Sequence, residues 1–311
     1  MKLLLLFSLA TLLSFEMPDK RNQIADNLFD LNGKSSDPGL LFSFGVISDV
    51  QYADSNPIGT RYFRSSPEKL KDALTTFRKD SVNFIVNLGD LIEKDYESYK
   101  PILNILNSSG IKTYHLTGNH DYSVDPRYLT RLPLFTESRE GYYSIIYKKF
   151  RLIFLNGNEI STYVSASKTK VREANEYIAK LKKNGAINAI DWNGGIGPDQ
   201  LVWITGQLDQ AADNSEKVIF FCHFPIAPEN IHNLLNYKEI NDIIKKYTNI
   251  VAWFSGHNHE GNYSTLNKVH FVTFKGMVET KRENSFAVLE IYSDKIMVKG
   301  YGRENSVVLT F

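Results

Sequence analysis

The sequence predicts an α/β fold, and two observations predict it. From Leu40 onward, short apolar runs alternate with amphipathic segments, and several of those runs stop at an acid, an amide or a histidine. The first pattern is that of a sheet covered by helices. The second is that of an open sheet carrying its chemistry at the carboxyl ends of its strands. The chain has 311 residues, 42% hydrophobic and 23% charged, close to the average of globular proteins, so residues 40–311 are read as one large domain.

The N-terminus differs. Lys2 precedes the apolar stretch Leu3 to Phe15, which is shorter than the roughly 18 residues that span a bilayer. Residues 1–16 therefore read as a secretory signal peptide and 17–39 as a polar linker, with no stable membrane span in the mature chain. Export to the periplasm or the exterior is expected, with a cytoplasmic location as the alternative. The single cysteine, Cys222, excludes an internal disulfide and, within Val218-Ile-Phe-Phe-Cys-His223, reads as a core residue. A net charge of +1 from 36 basic and 35 acidic residues gives no long-range field for nucleic acid.

Taken in order, Leu41 to Asp49 reads as a strand ending at an acid, and Pro67 to Lys79 as a helix with Ser66 as N-cap and Pro67 at its first position. Val82 to Asp90 is a second strand ending at an acid. A helix around 95–109 leads to a third strand, Ile111 to Asp121, which closes on Gly118-Asn-His-Asp121. Tyr142 to Tyr147 and Arg151 to Asn156 read as a hairpin. The lysine-rich segment 167–184 has Val171, Ala174, Ile178 and Leu181 at helical spacing, so its lysines form a solvated face. Pro198 to Asp213 is a further helix. Val218 to Cys222 delivers His223, Ile250 to Phe254 delivers Gly256-His-Asn-His259, and Phe286 to Ile291 with Lys295 to Tyr301 closes the chain as a hairpin. In Gly256-His-Asn-His-Glu-Gly261, imidazoles at i and i+2 on a strand would point to one side, between glycines that permit tight turns.

Collected, the strand ends present Asp49, Gln51, Asp90, Asn119, His120, His223, His257 and His259. Carboxylates, amides and imidazoles without a thiolate suit Mn²⁺, Mg²⁺, Fe²⁺ or Zn²⁺ rather than a structural cysteine site. Two metals about 3.5–4 Å apart would need a bridging carboxylate, and Asp90 lies in the middle of the set. Asp121, next to His120, could orient that imidazole.

The ordered blocks Asp49-x-Gln51, Gly89-Asp90, Gly118-Asn119-His120-Asp121, His223 and Gly256-His257-Asn258-His259 resemble the calcineurin-like metallophosphoesterase signature. That resemblance implies a four-layer sandwich of two mixed β-sheets flanked by helices. It implies one metal held by Asp49, Gln51, Asp90 and His259, and another held by Asp90, Asn119, His223 and His257. His120 would stand over the substrate, stabilising phosphoryl charge or protonating the leaving oxygen.

Gln51 stands where the family usually has histidine. An amide oxygen is a harder ligand, which favours Mn²⁺ or Mg²⁺ over Zn²⁺. Asp49-Val-Gln-Tyr-Ala-Asp54, Arg61-Tyr-Phe-Arg64, Asn193-Gly-Gly-Ile-Gly197, His223-Phe-Pro-Ile-Ala-Pro228 and Gly276-Met-Val-Glu-Thr280 narrow the resemblance to manganese-dependent ADP-ribose/CDP-alcohol diphosphatases. Membership would imply hydrolysis of a nucleoside-diphosphate-linked compound to a nucleoside monophosphate and a phosphorylated alcohol or sugar.

Arg61 and Arg64 would suit a second phosphate, Asn193 to Gly195 a close loop at the substrate, and Tyr52, Phe63 and Trp192 a stacked base. His115, His232 and His270 are read as structural histidines. Glu93, three residues after Asp90, argues against a ferric site with a tyrosine ligand. Alternatives are a phosphomonoesterase or phosphodiesterase of the same fold, and a non-catalytic scaffold. The oligomeric state is not encoded in any motif.

Overall fold

Alternation along the strands dictates the layers. A computed structural model describes residues 39–164 and 167–311. The segments read as signal peptide and linker lie outside the described residues, save for Gly39. Among the described residues no helix is long and apolar enough to cross a membrane.

The chain runs β1 (Phe42–Ile47), α1 (Ser66–Lys79), β2 (Phe84–Asn87), α2 (Tyr99–Ser108), β3 (Thr113–His115), β4 (Tyr143–Tyr147), β5 (Phe150–Leu155), α3 (Lys168–Lys183), α4 (Pro198–Asp213) and β6 (Lys217–Cys222). It continues with α5 (Tyr237–Ile244), β7 (Ile250–Ser255), β8 (Asn262–Leu266), β9 (Val269–Thr273), β10 (Ser285–Ile291), β11 (Lys295–Gly302) and β12 (Val307–Thr310). The strands form two six-stranded sheets, ordered β12-β11-β10-β1-β2-β3 and β4-β5-β6-β7-β9-β8. Both are mixed: β1-β2-β3 and β5-β6-β7-β9 are parallel, and the outer pairs are antiparallel.

Residues i and i+2 on a strand share a face, so each buried strand feeds two cores. In β6, Ile219 and Phe221 enter the core between the sheets, where they meet Phe44, Val46, Phe84 and Phe154. Val218, Phe220 and Cys222 turn the other way, against Ile204 and Leu208 of α4 and Ile240 and Ile244 of α5. Ile47 and Ile85 face Leu70 and Phe77 of α1 and Ile102 of α2. Helices, sheet, sheet and helices thus make four layers, as the resemblance implies. The inter-sheet core is aromatic, with Phe154 and Phe221 stacked at 4.7 Å between ring centres, and each such fully buried ring stabilises the fold by roughly 1.5–3 kcal/mol.

Sequence and structure differ in identifiable places. Ser65, not Ser66, is the residue preceding α1, and Pro67 is its second helical residue. α5, β8 and β12 have no counterpart among the predicted elements, while β9 is the strand-like run that holds His270. β8 is a polar edge, Asn-Tyr-Ser-Thr-Leu, mostly exposed, and α5 spans only eight residues. Neither gives a sustained hydrophobic period.

Candidate metal centre

Each foreseen ligand sits just beyond the end of a strand in the parallel cores of the two sheets. Asp49 and Gln51 follow β1, Asp90 follows β2, Asn119 follows β3, His223 follows β6, and His257 and His259 follow β7. The first four come from one sheet and the three histidines from the other. Four of the seven hold left-handed backbone: Asp49 (φ 50°), Gln51 (φ 42°), Asp90 (φ 52°) and His257 (φ 65°). Such conformations cost free energy in non-glycine residues and persist where the surroundings over-determine them. They also correct the strand argument for His257 and His259. β7 ends at Ser255, and a turn, not strand alternation, brings these rings to the site.

The convergence is close. One ligand atom each from Asp90, His223 and His257 lies within 4.8 Å of the other two. His223 Nε2 is 3.2 Å from Asp90 Oδ2, Gln51 Nε2 is 3.3 Å from the same oxygen, and His259 Nε2 is 3.3 Å from Asp49 Oδ1. Glycines make the approach possible. A Cβ on Gly118 would stand 2.1 Å from Asp90 Oδ1, and one on Gly256 would meet Ser48 Oγ at 2.0 Å.

Whether cations fit here is decided by the atoms that lack partners. Gln51 Oε1 and Asn119 Oδ1 are buried without a partner, and Asp49 Oδ1 and His223 Nε2 face only the other candidate ligands His259 and Asp90. A buried acceptor left unmade costs on the order of 1–3 kcal/mol. These four atoms around one buried carboxylate form a donor set that divalent cations would satisfy.

Each histidine of the set has its other nitrogen fixed, which selects the one that can ligate. His223 Nδ1 is 2.9 Å from Leu88 O, His257 Nε2 is 2.9 Å from Asn193 Oδ1, and His259 Nδ1 is 2.7 Å from Glu279 Oε1. The nitrogens left for a metal are His223 Nε2, His257 Nδ1 and His259 Nε2.

Charges within the metal-free centre are strongly coupled. Burial opposes ionisation of Asp90, but His223 and His120 outweigh it and hold this carboxyl well below the usual range. Burial also opposes charge on His223 and His259, yet Asp90 raises His223 to about 9 and Asp49 raises His259 to about 10. Burial, followed by the charge of His223, keeps His257 well below the ordinary imidazole range.

The structure redistributes several expected roles. Asp121 does not touch the His120 ring. Its carboxylate accepts from the backbone N–H groups of Asp90 and Gly118 at 2.9 Å and of Leu91 at 3.0 Å, and from Tyr99 Oη at 2.9 Å. It fixes the loops that carry Asp90 and Asn119. The His120 ring instead meets Glu93, with Nδ1 3.1 Å from Oε2, while the His120 backbone N–H donates to Asp90 Oδ1 at 2.8 Å.

Arg61 Nη1 pairs with Glu93 at 3.3 Å. Arg64 is an exposed residue paired with Asp54 at 2.5 Å and hydrogen-bonded to Asn56. Asn193 is fully buried. Besides holding His257, its amide donates to Asn188 O and Ile231 O, so it is spent on positioning rather than on substrate. Phe63 is buried against Ala53 and Val278, which leaves Tyr52 and the exposed Trp192 of the three aromatics.

His115 and His270 are held within the structure, His115 by Asn87 at 3.3 Å and His270 by Tyr263 and Thr310. His232, in contrast, lies against His257. Sequence reasoning assigned no positioning role to Glu93, Glu279 or Lys69. Lys69 donates to Met277 O, Glu279 O and Thr280 O at 2.8, 2.7 and 2.6 Å, clasping the turn that presents Glu279.

A family model for calcineurin-like phosphoesterases matches residues 42–261. The chain is 30% identical to the manganese-dependent ADP-ribose/CDP-alcohol diphosphatase of Bos taurus, over 88% of this chain and 95% of that protein. It is also 30% identical to the protein of the same name from Arabidopsis thaliana, over 86% and 96%. Among solved structures, a dimetal phosphatase from Danio rerio superposes with a TM-score of 0.79 at 23% identity, over 88% of this chain and 99% of that one. The last likeness is one of fold.

Proposed function

Because this chain belongs to the calcineurin-like phosphoesterase family, we propose that it is a manganese-dependent, two-metal hydrolase of nucleoside-diphosphate-linked compounds such as ADP-ribose and CDP-alcohols. The observation that carries the reading is the convergence on buried Asp90 of ligand atoms from Asp49, Gln51, Asn119 and His223 that either lack a partner or face only other candidate ligands. In the proposed assignment Asp49, Gln51, Asp90 and His259 serve one metal, and Asp90, Asn119, His223 and His257 the other. When bound, two divalent cations supply Lewis-acid stabilisation of phosphoryl oxygens and an acidified water.

The chain's own groups do the rest. Asp90 accepts the His120 N–H, which ties the backbone of the substrate-facing histidine to the metal-holding carboxylate. Glu93 engages His120 Nδ1 and leaves Nε2 to donate to a phosphoryl oxygen or to the leaving oxygen. Water adds to one phosphorus, the bridging P–O bond breaks, and ADP-ribose plus water gives AMP plus ribose phosphate with no free phosphate. A scaffold that had lost its metals would have no use for three histidines each fixed at one nitrogen and open at the other.

The test is incubation of Mn²⁺-loaded protein with ADP-ribose, CDP-glycerol and p-nitrophenyl phosphate, with products identified by phosphorus NMR. AMP or CMP without inorganic phosphate is the expected result. Release of inorganic phosphate from the monoester alone would overturn the substrate class and make the protein a phosphomonoesterase.

A further inference from the structure

We infer that His232 is a substrate-binding residue that donates a hydrogen bond to the phosphate of a diphosphate substrate that is not attacked. The inference rests on the diphosphatase reading above and adds a residue to it. Of the seven histidines, six have a ring nitrogen within reach of a partner: His115, His120, His223, His257, His259 and His270. The ring of His232 is half-buried and has no hydrogen-bond partner among the described residues. It stands edge-on to His257, 5.4 Å between ring centres at 82°, and within electrostatic reach of His259 and Asp49. An imidazole with two unsatisfied nitrogens at the rim of a metal centre has a donor to offer.

Its backbone is not a loose loop. The His232 N–H donates to Asn230 Oδ1 at 2.7 Å, Asn230 and Asn233 donate to Pro228 O at 2.8 and 3.1 Å, and Leu234 N–H donates to Pro225 O at 2.9 Å. Ile231 O takes a 2.7 Å bond from Asn193, the residue whose other end holds His257. The segment carrying His232 and the ring of a metal-holding histidine are thus set by one buried amide. Such rigidity is what a contact needs if little ordering cost is to be met on binding.

Need for such a contact comes from the arginines. A diphosphate presents a second anionic phosphate beyond the one over the metals. Arg61 is paired with Glu93, and Arg64 with Asp54 and Asn56. His120 is already assigned to the reacting phosphoryl group. His232 is the remaining unpartnered imidazole at the centre.

The experiment is calorimetric titration of Mn²⁺-loaded wild-type, His232→Ala and His232→Gln proteins with two probes, the non-hydrolysable α,β-methylene analogue of ADP and inorganic phosphate. His232→Ala should weaken the methylene diphosphate by about tenfold or more and inorganic phosphate by less than about threefold, with two metals retained. His232→Gln, which keeps an N–H donor, should recover part of the loss. With ADP-ribose as substrate the deficit should appear in KM rather than in kcat. Equal weakening of both probes would place His232 on the reacting phosphoryl group and overturn the assignment, and unchanged binding would remove it from the substrate altogether. Loss of a metal would show that it props His257 instead. The binding arm does not require turnover, so wild-type protein that fails to cleave ADP-ribose refutes the diphosphatase reading while these ratios still judge His232.

Discussion

Glu279→Gln isolates the part that one carboxylate plays in holding His259, a proposed metal ligand. Glu279 Oε1 lies 2.7 Å from His259 Nδ1, and its side chain is only 13% exposed, so water screens the pair poorly. A hydrogen bond to a charged acceptor is worth about 1.5–3 kcal/mol, against about 1 for a neutral one. The substitution keeps an acceptor of the same shape, so its direct effect is the difference, roughly 0.5–2 kcal/mol. The same carboxylate also steadies the proton that competes for His259, and losing it relieves that competition in part. A divalent cation feels the lost charge more than a proton does, so the net effect should fall near the lower end of the 10–100-fold seen for such partners. Free Mn²⁺ measured by electron paramagnetic resonance during titration reads the two sites separately. One class of site should weaken by about tenfold and the other by less than about twofold, with the unfolding temperature of the metal-free protein little changed. Equal weakening of both sites, or no change in either, would refute the idea that Glu279 acts through His259.

Other consequences can be checked with similar means. In the metal-free centre His223 and His259 remain protonated up to about 9 and 10, so metals must displace protons at neutral pH and affinity should rise as pH rises toward those values. Calorimetry at pH 7 in buffers of different ionisation enthalpy should find about two imidazole protons released as both sites fill, and a value near zero would contradict the charge assignment. Glu93→Gln should lower kcat by roughly 10–100-fold with both metals retained, because Glu93 and not Asp121 engages the His120 ring. Asp121→Asn should act on the fold instead. An amide nitrogen turned toward the N–H groups of Asp90, Leu91 and Gly118 should destabilise by about 2–4 kcal/mol in urea unfolding, and a variant of normal stability with only its rate reduced would reverse the two assignments.

The gathering of the candidate ligands was legible because each follows an apolar run, and a parallel sheet gathers such positions at one edge. What the sequence could not reveal were the groups that steady the ligands. Glu279 is 20 residues from His259, Asn193 is 64 from His257, and Lys69 is 210 from Glu279. No local pattern links such pairs, since the topology alone decides which loops meet. The partners of the arginines were hidden for a related reason. Arg61-Tyr-Phe-Arg64 advertises two guanidinium groups, but Glu93, which neutralises the first, is recruited from a separate loop 32 residues on. His232 looked like an ordinary loop histidine because nothing near it in sequence marks its proximity to His257. β8 escaped notice because an edge strand facing water need not alternate.

The division of the centre between two sheets matters during synthesis. The carboxylate and amide half, Asp49 to Asn119, leaves the ribosome first, whereas His259 follows Asp49 by 210 residues. At about 5–20 residues per second that gap lasts roughly 10–40 s. β1 also lacks one neighbour until β10 emerges, because it pairs with β10 on one side and β2 on the other. Until His223 emerges only the oxygen donors have been made, and the full donor set exists only once translation has nearly finished. A complete site is therefore open only to a nearly finished chain, and the ion it first takes up should follow the divalent cations present where the last strands dock.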